Sequence, residues 1–210
     1  MEKLENIGKI ITTDVLVIGG GIGGLVAALR AREQGVDVLI ADKANVGFAG
    51  MPSRAGNGVL TLKKDSDIDE YVEYLVKNLG VYLTDQEAQT QLASVNYEAH
   101  HKVMDWGVKI TTDENGEIGY FPNPCGPWYN SGIELNCTDT LRKTAVKNGI
   151  KIQNNVQITS LIKDGDKVCG AVGYSIMDGT FYIFRAKLSY LPARPAASEQ
   201  SACLTAVARA

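Results

Sequence analysis

The stretch from Asp14 to Gly24, DVLVIGGGIGG, leaves the N-terminal part of this chain very few ways to fold. Asp14 to Ile18 is a short apolar run that stops at glycines, the pattern of a buried parallel strand rather than a half-exposed one. Ile22 to Gln34 then sets Leu25, Ala28, Leu29 and Arg32 at helical spacing, and Gly35 supplies the stop. Val36 to Ala41 reads as a second strand. Strand, helix and strand in that order make one right-handed unit of parallel sheet.

Gly19, Gly21 and Gly24 satisfy GxGxxG at the junction of strand and helix, where the motif's mechanism requires it. The first glycine permits a tight turn, the second lets backbone approach a pyrophosphate, and the third lets helix and strand pack closely. Ile22 and Gly23 open the helix, whose positive end faces the phosphates. Asp42 ends the second strand, beside Lys43, and its carboxylate can accept hydrogen bonds from an adenosine ribose. The motif therefore predicts a site for an ADP moiety. It does not separate FAD from NAD, since both carry that moiety, and a nicotinamide-binding module stays open as an alternative.

Composition removes other classes. A net charge of -3 gives no basic surface for nucleic acid. No segment approaches the roughly 20 apolar residues of a spanning helix, and the charged start Met1-Glu-Lys-Leu-Glu-Asn has no signal-peptide character, so a cytoplasmic protein is expected. Cys125, Cys137, Cys169 and Cys203 form no CxxC pair and have no histidine at ligand spacing, so neither disulfides nor a metal site is expected.

Further along, Lys43 to Gly58 is a Gly-, Ala- and Ser-rich loop without periodicity. Asp67 opens a helix to about Asn78, and Thr84 with Glu87 forms a capping box for another to about Trp106, a helical block over about 62–110. His100 and His101 fall on this block as surface or packing residues. Thr138 to Asn148 reads as a short helix before a strand at Ile150 to Gln153. Val156 to Ile162, Lys167 to Tyr174 and Thr180 to Ala186, joined at Asp164-Gly165 and Asp178-Gly179, read as an antiparallel meander.

Asp14 to Lys43, with the meander after a later strand, resembles the two-dinucleotide-binding flavoproteins, whose N-terminal unit holds FAD. More narrowly, Thr13 to about Lys187 resembles the flavoprotein subunits of the succinate dehydrogenase and fumarate reductase family, with adenylylsulfate reductase as a relative. The fold class implied is α/β, a Rossmann-type parallel sheet with an inserted helical block and a β-meander, incomplete at its C-terminus. The resemblance implies FAD as cofactor, with Gly50, Ser53, Gly56, Asn57 and Gly58 of the loop Phe48 to Gly58 as contacts and Arg54 as a nearby charge. The family's covalently flavinylated members bear a histidine in this loop; none stands here, which implies noncovalent FAD. Backbone near Val156 to Ile158 is expected beside the adenine. The implied function is the FAD-binding portion of an oxidoreductase moving hydride between flavin and a small dicarboxylate or related acceptor. An iron-sulfur or other electron-transfer subunit is the partner implied for a full-length parent. The family's substrate-clamping residues come from later segments, so no catalytic residue is nominated, and a flavin-binding fragment without turnover is the alternative.

The resemblance makes 1–187 an FAD-binding domain and sets 188–210 apart. Where the family continues into a parallel strand of the type AVILATGG, this chain reads Leu188-Ser-Tyr-Leu-Pro. Codons for these residues, read one base earlier, can yield Ala-Val-Ile-Leu-Ala, so a frameshifted, poorly ordered tail is expected, with an Ala-rich linker as the alternative. Pro192 and Pro195 argue against a central strand, and its loss would leave an unpaired sheet edge.

Overall fold

The computed structural model describes residues 7–48, 50 and 58–190. The chain divides into two compact units, Met1–Arg54 with Thr138–Ala210, and Ala55–Cys137.

The first unit is built on a six-stranded mixed sheet of order β6-β2-β1-β9-β8-β7. Its strands are β1 (Lys9–Ile18), β2 (Val38–Ala41), β6 (Lys151–Gln153), β7 (Val156–Asp164), β8 (Lys167–Ser175) and β9 (Phe181–Tyr190). β1 runs parallel to β2, with Val15 opposite Val38 and Val17 opposite Ile40, and β2 runs parallel to β6. Helix α1 (Ile22–Glu33) makes the crossover between β1 and β2. Alternation along β1 sends Leu16 into a cluster with Leu39, Ala41, Val156, Phe184 and Ala186, while Val17 turns towards Gly24 of α1. Leu16, Leu25 and Ile40 are fully buried, each contributing about 1.5–3 kcal/mol relative to exposure. Gly35, at φ 80°, ends the helix as expected.

β7, β8 and β9 form the expected meander, but β9 does more. It also lies parallel to β1, with Tyr182 opposite Lys9 and Val15, Leu16 and Val17 opposite Leu188, Ser189 and Tyr190. The strand thus passes the boundary at Lys187 and covers the flank of β1 that the sequence reading left bare. Leu188, Ser189 and Tyr190 all carry the amide hydrogens that a proline lacks, so the ladder can continue. The hydroxyl of Ser189 is buried there with no hydrogen-bond partner among the described residues. Residues 191–210, including Pro192 and Pro195, lie outside the described residues, and the frameshift reading falls mostly on them.

The second unit is larger than the expected helical block because it has a sheet of its own. β3 (Gly58–Thr61), β5 (Tyr129–Gly132) and β4 (Phe121–Pro122) pair antiparallel in that order. Helix α2 (Ile68–Tyr74) is capped by Asp67 and runs on as a π-helical turn through Leu79. Helix α3 (Gln86–Asp105) is capped by Asp85, whose carboxylate accepts the Ala88 amide, and not by Thr84. Thr84 instead lies against Gly80, where its hydroxyl fills the place a β-carbon would take. Leu62, Tyr71, Val72, Val76, Ala93 and Trp128 form this unit's core. His100 and His101 are half-buried on α3, their Nδ1 atoms donating to the Asn96 and Tyr97 carbonyls. Burial holds the His100 imidazole below its usual pKa.

Candidate functional site

The strand end of β1, the start of α1 and the end of β2 meet at the glycine turn. Gly19 leaves the strand at φ 113°, a left-handed value that favours glycine, and its amide donates to the Ala41 carbonyl at 2.8 Å. Gly21 is the N-cap of α1, in extended conformation, with no side chain capping it and no acid in the first turn. The first amides of a helix have no partner within it, and its dipole places about half a positive charge there. This end is therefore chemically prepared for an anion.

Each glycine does a distinct job. A β-carbon on Gly24 would stand 1.9 Å from the Gly19 carbonyl oxygen, so the third glycine sets the contact of helix on turn. A β-carbon on Gly21 would meet nothing within 4 Å, which leaves that backbone open to close approach. Gly20, a free position in the motif, is also constrained: its β-carbon would fall 2.5 Å from Val46 Cγ2. The reason is a strap, residues 43–48, that crosses the turn with Val46 buried against it.

Asp42 sits buried at the end of β2, with the glycine turn on one side and the strap on the other. Its Oδ2 accepts the Gly20 amide and its Oδ1 accepts the Ala44 amide at 2.6 Å. Its own carbonyl accepts the Val156 amide at 2.9 Å, which brings the start of β7 to the same place. A carboxylate oxygen has two lone pairs, and the hydrogen bonds from the Gly20 and Ala44 amides use one on each oxygen, so capacity remains for a sugar hydroxyl.

Gly19, Gly21, Ile22, Gly23, Gly24 and Asp42 are thus brought together, with Lys43 exposed on the adjoining turn. Ile158 lies two residues beyond Val156 in β7, opposite Gly173, with its side chain against the sheet core. Gly50 is exposed in the first unit. Ser53, Arg54, Gly56 and Asn57 lie outside the described residues. Gly58 opens β3 in the second unit, opposite Gly132.

Sequence reasoning missed the residues that hold the strap. Gly47 donates its amide to the Gly20 carbonyl at 3.1 Å, and its own carbonyl accepts the buried Thr138 hydroxyl at 2.7 Å. The Asn154 side-chain oxygen accepts the Val46 amide at 3.0 Å. Thr138 lies in the first turn of α4 (Cys137–Lys147), where Lys143 and Arg142 beside Asp139 hold its carboxyl below the usual carboxylate range. The charged Asp139 in turn fixes Arg142, whose guanidinium lies 5.4 Å from the centre of the Phe48 ring. The one available signal was Gly20, a glycine where the motif asks for none.

The donor set fits the ADP half of a dinucleotide: an uncapped helix start, a turn open at Gly21, and a buried carboxylate one strand away. A family model described as FAD binding domain matches residues 14–208. The 8-methylmenaquinol:fumarate reductase flavoprotein subunit of Wolinella succinogenes is 27% identical over 203 residues, covering 87% of this chain and 31% of that protein. A probable fumarate reductase of Shewanella frigidimarina, Ifc3, is 28% identical over 197 residues, covering 89% and 33%. Among solved structures, Mycobacterium smegmatis Sdh1 in complex with UQ1 superposes with a TM-score of 0.76 at 21% identity, over 87% of this chain and 34% of that one, a likeness of fold. The chain spans about a third of the length of the curated relatives it matches.

Proposed function

The chain belongs to the FAD binding domain family, and from that premise we propose that it is the FAD-binding portion of a fumarate reductase or succinate dehydrogenase type oxidoreductase. Its complete parent would exchange hydride between flavin and a small dicarboxylate or related acceptor. The observation that carries this reading is the turn from Gly19 to Gly24 with Asp42 beside it, in a chain whose relatives named above are fumarate reductases.

FAD, when bound, supplies two-electron chemistry that side chains lack. The chain's own residues bind and orient it. The first amides of α1 would take the pyrophosphate across Gly21, and Asp42 would accept the ribose hydroxyls while keeping the Gly20 amide. Backbone at Val156 to Ile158, tied to Asp42, would border the adenine. Gly50 and Ser53 are the proposed contacts for the flavin half from this unit, and the loop's lack of histidine supports noncovalent attachment. An electron-transfer subunit, iron-sulfur or other, is the partner proposed for the complete parent. No helix among the described residues is long and apolar enough to cross a membrane. Cys125 and Cys169 form no disulfide among the described residues, which suits a reducing compartment such as the cytoplasm.

The purified chain's visible spectrum tests this. The two absorption bands of oxidised flavin, released on denaturation, are expected; a colourless protein stabilised by NAD and indifferent to FAD would overturn the reading. Dithionite reduction followed by fumarate-dependent reoxidation then separates a competent oxidoreductase portion from a binding fragment.

A further inference from the structure

The glycine turn is one half of the candidate site; the other half of its support comes from the strap over it. Val46 presses on Gly20, with its Cα 2.9 Å from where a Gly20 β-carbon would lie. Gly47 donates to the Gly20 carbonyl, so the strap and the turn share both a van der Waals contact and a hydrogen bond. Any movement of the strap therefore moves the backbone that faces the ligand at Gly21.

The strap is locked from the far side by α4. Thr138 is 1% exposed, and its hydroxyl donates to the Gly47 carbonyl at 2.7 Å across 91 residues of sequence. Gly47 itself stands at φ 84°, and a β-carbon on it would lie 2.9 Å from Arg142 Cβ and 3.1 Å from the Thr138 carbonyl oxygen. The strap thus packs closely on α4 at Gly47 and is tied to it by the Thr138 hydroxyl. Without that donor, a buried carbonyl loses its partner, which costs more than the net worth of the bond it made.

We propose that Thr138 is a positioning residue for the dinucleotide site: through Gly47 and Val46 it holds the Gly19–Gly24 turn in the conformation that accepts a pyrophosphate. This rests on the FAD reading above for its ligand, but not for its geometry. Thr138 does not touch the ligand; it acts through the strap.

The test compares Thr138→Val, which keeps shape and loses the donor, with Thr138→Ser, which keeps the donor. Apo thermal stability, FAD affinity by flavin fluorescence and amide exchange at Gly20 and Gly47 are measured in the full chain. Thr138→Val is expected to raise the FAD Kd about tenfold while remaining folded, and to speed exchange at both amides; Thr138→Ser is expected to restore both. A purely structural role would lower the melting temperature and leave the FAD Kd of the folded protein unchanged, and that result overturns the proposal. So does a Thr138→Ser variant as weak as Thr138→Val. If the unmutated chain takes up no FAD, the FAD reading falls while exchange still judges Thr138: unchanged exchange at Gly20 in Thr138→Val overturns its positioning role, and faster exchange sustains it.

Discussion

Two glycines a single helical turn apart have opposite surroundings, so alanine at each should separate folding from ligand approach. At Gly24 a β-carbon falls 1.9 Å from the Gly19 carbonyl oxygen and 3.3 Å from Val17 Cγ1, where ordinary contact begins at 3.4 Å. The first obstacle is backbone and has no rotamer to change, so α1 must withdraw by about 1.5 Å. Overpacking of that severity costs about 3 kcal/mol, and alanine's better helix propensity returns about 1 kcal/mol. The net of about 2 kcal/mol should lower the melting temperature of Gly24→Ala by about 4–8 °C in a chain of this size. At Gly21 the new methyl meets nothing within 4 Å, and φ is -74°, which alanine adopts freely. A weaker N-cap and a stiffer unfolded chain roughly cancel there, so apo stability should change by less than about 0.5 kcal/mol. The methyl does, however, stand where the proposed site would bring the pyrophosphate close, and on that reading FAD affinity should fall about a hundredfold, or about 2.7 kcal/mol. Thermal unfolding of the apo chain followed by circular dichroism, with FAD titration by flavin fluorescence, reads both effects. A Gly21→Ala variant that binds FAD as the parent does would refute the placement of the pyrophosphate. A Gly24→Ala variant with unchanged melting temperature would refute the close-contact argument.

Other perturbations test other parts of the structure. Asp42→Asn must turn an amide NH2 towards either the Gly20 or the Ala44 amide, setting donor against donor, and should cost about 1–3 kcal/mol in apo stability together with weaker FAD binding in the same titration. Ser189→Val removes a buried hydroxyl with no partner among the described residues and should raise stability by about 1 kcal/mol in urea unfolding; no change would mean the hydroxyl is satisfied. His100 is held below its ordinary imidazole pKa chiefly by burial, so the unfolded state binds the proton more readily. Its contribution is present above the unfolded pKa of about 6.5 and is lost as pH falls through the folded value. Urea midpoints measured from pH 7.5 down to about pH 5 should fall more steeply for the parent than for His100→Gln, and parallel curves would contradict this.

Much of this was legible from local chemistry. A buried apolar run, three glycines at fixed spacing and an acid at the next strand's end specify each other over a few tens of residues, so β1, α1, β2 and the candidate site at their junction could be read directly. The meander was legible for the same reason, since Gly165 and Gly179, both at positive φ, mark its turns. Helix starts were less so: Thr84 and Asp85 are both good caps, and only the contact of Thr84 with Gly80 decided between them. Nor could periodicity reveal the small sheet of the second unit, whose β4 is two residues long.

Long-range pairing decided the remainder. Whether β9 stops at the meander or runs on beside β1 depends on backbone amides and carbonyls that every non-proline residue offers equally, so only the assembled sheet shows that Leu188 to Tyr190 complete it. The strap behaves likewise. Gly47 and Thr138 are unremarkable where they stand in the chain, and they become a clamp on the glycine turn only because folding brings a carbonyl and a hydroxyl 91 residues apart into hydrogen-bonding distance in a buried place, where neither has water as an alternative partner.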